Sequence, residues 1–213
     1  MERDRVVLVH GLWMNGIELA MLEHRLRTEH GFDVAKFSYP TMRADAAEVC
    51  ARLAEFAGAG CDDPGRVHLV GHSLGGVLVH RMLGECGTRY TGRSVVLGAP
   101  LNGSRAAVNV ARMAALRPLL GALALAEIAE ARPRQWAGPA ELGSIAGTVP
   151  MGTGQFFAHF DEQHDGTVGV SETQIPGLAD HLVVPHSHFG MLLSHDVAAQ
   201  VAHFLREGRF RRQ

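Results

Sequence analysis

A serine with glycine at both second neighbours, Gly71-His72-Ser73-Leu74-Gly75, is the segment of this 213-residue chain with the clearest chemical meaning. A serine hydroxyl is inert at neutral pH until a base takes its proton and a donor steadies the charge it creates. The flanks bear on both needs. An aliphatic run, Val67-His68-Leu69-Val70, precedes the serine, and a helical pattern opens at Gly76-Val77-Leu78. The serine is therefore expected on a sharp strand-to-helix turn, the context that G-x-S-x-G requires. Gly71 and Gly75 supply the absent side chains that such a turn needs. The amide of Leu74, at the start of the helix where partial positive charge collects, becomes a donor to an anionic oxygen. A Gly-rich turn that merely caps a helix is the plainer alternative.

A base for Ser73 should come from the loop after the last strand, where His186 and His188 both stand, and spacing alone does not separate them. The acid that orients it should follow the fifth strand, where Asp161, Glu162 and Asp165 are close together. A second backbone donor is expected at Leu12, because His10-Gly11-Leu12 follows the first strand and Gly11 lets the backbone approach the site. His10 and His72 flank these motifs and are expected to orient backbone. Trp13, with Met113, Phe156 and Phe157, is expected to form the apolar wall of a substrate pocket, and Leu116, Leu119, Leu120, Leu123 and Leu125 have the same character. His186 and His188 near Asp165 also suggest metal ligation, but no third ligand follows at a convincing spacing. Neither metal nor cofactor is expected.

These groups can meet only if the chain folds so that several strand ends converge. Short aliphatic runs at 6–9, 33–37, 67–70, 94–97, 142–146 and 181–184 alternate with amphipathic stretches at about 18–29, 44–57, 76–86 and 195–207. That alternation predicts an α/β fold with a mostly parallel sheet of about six strands and helices on both faces. Most runs are continuously apolar, as strands covered on both faces must be. Residues 104–140 interrupt the rhythm. They are Ala- and Leu-rich, have helical spacing broken by Pro118, and read as a helical insertion that either covers the sheet or caps a site as a lid. The length predicts one domain over residues 1–213.

Composition excludes several functions. The chain is 46% hydrophobic and 20% charged, with a formal charge of −2 and no segregated basic face, so nucleic acid is not an expected partner. Nineteen of its 20 basic residues are Arg, a bias of composition rather than a site. The longest apolar stretch, 119–126, is far short of the ~18 residues a membrane span needs, so no integral membrane association is expected. The three cysteines, Cys50, Cys61 and Cys86, form no ligand spacing and cannot all pair within the chain, and the segment 6–9 is too short for the apolar region of a signal peptide. A cytoplasmic protein is expected.

Five segments taken in order, His10-Gly11-Leu12-Trp13, Gly71-His72-Ser73-Leu74-Gly75-Gly76, Gly98-Ala99-Pro100-Leu101-Asn102-Gly103-Ser104, Asp165-Gly166-Thr167-Val168 and Ser187-His188-Phe189-Gly190-Met191-Leu192, resemble the α/β-hydrolase superfamily. The resemblance is in particular to small bacterial lipases and esterases and to the related GPI inositol-deacylase-like group. The resemblance spans nearly the whole chain. It implies an α/β-hydrolase fold in a minimal version, without the first strands of larger members. It also implies hydrolysis of carboxylic esters by Ser73, Asp165 and His188 in that chain order, with a small-molecule ester or lipid-like substrate. His188 is selected over His186 because the apolar run after it is similar to the family's entry into the final helix. Asp165 is selected because Asp165-Gly166-Thr167-Val168 matches the family segment.

Overall fold

The computed structural model describes residues 3–59, 63–86, 92–130, 134–152, 154 and 157–212. Six strands form one sheet: β1 (Arg5–Val9), β2 (Asp33–Phe37), β3 (Val67–His72), β4 (Ser94–Leu97), β5 (Leu142–Gly147) and β6 (Asp180–Val184). Their order is β2-β1-β3-β4-β5-β6, and every pairing is parallel. All strands therefore point the same way and their carboxyl ends share one rim. Each run expected from the sequence is a strand, within two residues at either end.

Crossover helices cover both faces. Val7 and Val9 point into one core layer with α2 (Ala46–Gly58) and α3 (Leu74–Cys86). Val6 and Leu8 point into the other, with α1 (Ala20–Thr28) and α7 (His195–Glu207). This follows from the two-residue period of a strand acting on a run in which both faces are apolar. The central strands β1, β3, β4 and β5 are almost wholly buried, whereas the edge strand β6 is only partly so.

Strand order reverses at β1, which lies between β2 and β3. At such a switch the loops leaving two adjacent strands part in opposite directions and open a crevice above the sheet. Here those are the loop after β1, carrying His10 to Trp13, and the turn after β3, carrying Ser73. Between β4 and β5 the insertion forms α4 (Arg105–Arg112), a single tight turn at Arg117–Leu119, and α5 (Gly121–Ala124), which widens into a π-helical turn at Leu125–Ala129. Pro118 sits at the start of the tight turn, where its missing N–H costs nothing. A last short helix, α6 (Gly190–Leu193), precedes α7.

Burial sets a pH limit on this fold. His10, His30, His68, His72, His80 and His181 all have pKa values lowered from the usual imidazole value, with desolvation the leading cause in each. The folded chain thus binds fewer protons than the unfolded chain once the pH falls below about 6.5, where free imidazole titrates. Their contribution is fully present above that pH and is lost progressively as acid drives protons onto the unfolded form. The thermal midpoint is expected to be flat from pH 8 to 7 and to drop steeply from pH 6.5 to 5. A midpoint that holds steady to pH 5 would contradict this account.

Candidate active site

β3 ends at His72 and α3 begins at Leu74, so Ser73 alone makes the turn, with φ of +55°. An L-residue in this region carries strain of about 1–2 kcal/mol. Its amide donates to the Leu97 carbonyl at 2.9 Å, which extends the β3–β4 ladder, and its carbonyl accepts the Gly76 amide at 2.9 Å, which starts the helix. Close packing enforces the turn. A methyl group at Gly71 would lie 2.5 Å from Gly76 Cα, one at Gly75 2.3 Å from the His10 carbonyl, and one at Gly76 2.6 Å from Ala99 Cβ. The sequence pattern indicated the first two glycines but not the third, whose need arises from β4. Leu74 is the first residue of α3, so its amide has no carbonyl one turn back within the helix.

The structure brings Asp165 and His188 together. Asp165 Oδ2 accepts from His188 Nδ1 at 2.6 Å, and both residues are buried. Oδ1 accepts the amides of Thr167 at 2.9 Å and Val168 at 2.7 Å, and the Asp165 carbonyl accepts the His188 amide at 2.9 Å. Because a carboxylate receives the proton on Nδ1, Nε2 is left as the acceptor nitrogen. Gly98 makes room for the pair: its φ is +54°, and a methyl group there would stand 2.9 Å from His188 Nδ1 and 3.0 Å from Asp165 Oδ2.

The rival candidates have other partners. His186 Nε2 is bonded to Ser194 Oγ at 3.0 Å, at the start of α7. Asp161 is exposed and faces His159, and Glu162 holds Arg105 and Ser171. Among the described residues no cluster of three or more His, Cys, Asp or Glu side chains is placed to hold a metal ion.

Two further histidines brace the backbone. The Nε2–H of His72 donates to the His188 carbonyl at 3.2 Å, and the two rings lie 4.6 Å apart. His72 is buried and its pKa is held well below the usual value by desolvation, so it stays neutral. His10 donates from Nδ1 to the Gly11 carbonyl at 3.0 Å and accepts the Tyr39 amide on Nε2 at 3.2 Å. The Tyr39 hydroxyl donates to the His10 carbonyl at 2.8 Å, and its ring stacks on His10 at 4.4 Å.

Ser73 and His188 line one predominantly apolar cavity of about 270 Å³, with Leu12, Trp13, Leu120 and Phe157 in its wall. Met113 is exposed and is not part of that wall, and Phe156 lies outside the described residues. Ala106, Ala107 and Val110 of α4, Ile128 of the π turn and Phe189 next to His188 also contribute, and the sequence pattern does not single them out. A helix face at positions 106, 107 and 110 was the available signal. The loop bearing Asp165 is tied to α4 through Glu172, whose carboxylate accepts the Arg105 amide at 2.7 Å and the Gly169 amide at 2.8 Å.

Residues 6–209 match the model of the alpha/beta hydrolase family, and the chain belongs to that family. Among solved structures it is similar to the mature form of the Bacillus licheniformis lipase BlEst2, at 20% identity and a TM-score of 0.68 over 89% of this chain and 86% of that one. It is also similar to the metagenomic carboxyl esterase MGS0156, at 19% identity and 0.60 over 96% and 76%. A third is the type II thioesterase BorB from the borrelidin biosynthetic cluster, at 18% identity and 0.58 over 98% and 93%. No curated protein sequence matches the chain. At these identities the likeness is one of fold.

Proposed function

We propose that the chain is a serine hydrolase that cleaves carboxylic esters of apolar acyl groups. The observation that carries the reading is that His188, held by a buried 2.6 Å bond to Asp165, lines the same cavity as the strained Ser73. In this reading Ser73 Oγ attacks the ester carbonyl while His188 Nε2 takes its proton, and Asp165 steadies the resulting imidazolium. The amides of Leu12 and Leu74 receive the developing negative oxygen. His188 then returns the proton to the leaving alkoxide, and water releases the acid from the acyl-enzyme by the same route reversed. The insertion, 104–140, serves as the acyl wall of a single domain spanning 1–213. The substrate is a small ester or lipid-like molecule met in the cytoplasm. Among the described residues no helix is long and apolar enough to cross a membrane.

A fluorophosphonate probe should label the folded protein at Ser73, and Ser73→Ala should lose both labelling and hydrolysis of a short p-nitrophenyl ester, the latter by about 10⁵-fold or more, with the thermal midpoint nearly unchanged. Ester hydrolysis that survives the substitution would refute the assignment. A protein that only binds a ligand would label no faster than its denatured form. The similarity to a thioesterase supports a second reading, in which the same residues act on a thioester, and matched ester and thioester donors separate the two.

A further inference from the structure

Trp13 stands out by its backbone. Apart from Ser73 it is the only non-glycine residue at positive φ among those described, at +61°. A large side chain persists in that region only where its surroundings hold it there. Two bonds do so, each to a different segment. The Trp13 amide donates to Thr41 Oγ1 at 3.3 Å, in the stretch that follows β2, and the indole Nε1–H donates to the Leu119 carbonyl at 2.8 Å, in the insertion. These segments are themselves joined, since the Ala122 amide donates to the Met42 carbonyl at 3.3 Å. The inner end of the same loop is fixed by His10 against Tyr39. Leu12 thus lies between two anchored residues, and the residue after β1 that looks like pocket wall also pins the loop's outer end.

We infer that Trp13 is a positioning residue. It holds the loop so that the Leu12 amide stays aimed at the oxygen that becomes negative, and it ties that aim to the insertion, whose Leu120 forms the neighbouring wall of the cavity. The inference rests on the serine-hydrolase reading. If the anchors set a donor used only when charge develops, loosening them weakens transition-state binding and leaves ground-state binding alone. If Trp13 is only wall, its loss weakens substrate binding instead.

Trp13→Phe retains an aromatic wall and removes the indole N–H, and Thr41→Val removes the other acceptor without touching the cavity lining. Each is expected to lower kcat by about tenfold to a hundredfold, part of what loss of a whole donor causes, with KM changed less than about threefold. The double variant should lose little more than the worse single one, because both anchors hold one residue. Affinity for a short-chain boronic acid, which places an anionic oxygen in the same position, should fall in step with kcat. A Trp13→Phe enzyme with raised KM and unchanged kcat overturns the inference and leaves the hydrolase reading intact, as does a Thr41→Val enzyme with wild-type kcat and thermal midpoint. A wild-type protein that neither labels at Ser73 nor hydrolyses any ester overturns the hydrolase reading, and this inference with it.

Discussion

Asp165→Asn is expected to lower kcat by about 10⁴-fold while leaving KM and the thermal midpoint close to those of the parent. The reason lies in how the carboxylate divides its two oxygens. Oδ1 faces two N–H donors, those of Thr167 and Val168, and Oδ2 faces the third, on His188 Nδ1. An asparagine must keep its carbonyl oxygen toward the two amides, because an NH₂ group there would confront donors with donors. Its Nδ2 then faces His188, where it can only donate. Nδ1 becomes the acceptor and the ring proton moves to Nε2, the nitrogen that would otherwise take the serine proton. An imidazole protonated there has no lone pair for the serine hydroxyl. The substitution is nearly isosteric and retains the two backbone bonds, so folding is spared. A variant within tenfold of wild-type turnover would mean that the 2.6 Å bond does not govern the chemistry.

Sequence alone leaves His186 and His188 level, and only family likeness favours one of them. The two differ in what each ring finds, Ser194 or Asp165, and those partners are set by the path of the loop after β6. The sheet was more legible. A strand buried on both faces is written as a mostly aliphatic run, and the runs at β1, β3 and β4 each correspond to a strand. The start of α3 agrees with the turn rather than with the helical pattern: apolar helical spacing opens at Gly76, whereas the sharp turn at Ser73 already puts Leu74 in the helix.

The pocket wall was the least legible part, and Met113 illustrates why. Ala106 and Val110 lie one turn apart on α4, and a continuing helix would bring residue 113 to the same face. The helix stops at Arg112, and Met113 adopts extended backbone, which sends its side chain to solvent. Likewise the π turn that presents Ile128 is held by contacts distant in sequence. The Ile128 carbonyl accepts the Ser104 amide at 3.0 Å, and the neighbouring Glu127 pairs with Arg81 on α3. No local pattern encodes partners at such separations.

Within α3 itself, the same substitution at two glycines is expected to act in opposite directions. Gly84 is exposed, and a methyl group there meets nothing within 4 Å. Gly84→Ala removes backbone freedom from the unfolded chain and adds no clash, so it should stabilise by about 0.5–1 kcal/mol and raise the thermal midpoint by about 2 °C with activity unchanged. At Gly75 the methyl would sit 2.3 Å from the His10 carbonyl oxygen and 2.4 Å from that of Val9. Both are backbone atoms, at and just past the buried end of β1, and cannot swing aside as a side chain would. Relief requires α3 to retreat from β1, which separates the Leu74 amide from the loop that carries Leu12. Gly75→Ala should therefore cost about 3 kcal/mol or more, lower the midpoint by roughly 6–12 °C, and reduce kcat by at least a hundredfold even at temperatures where the variant remains folded. Helix propensity alone predicts that both substitutions stabilise. A Gly75→Ala protein as stable as the parent would show that the close approach of α3 to the end of β1 is not what forces glycine at that position.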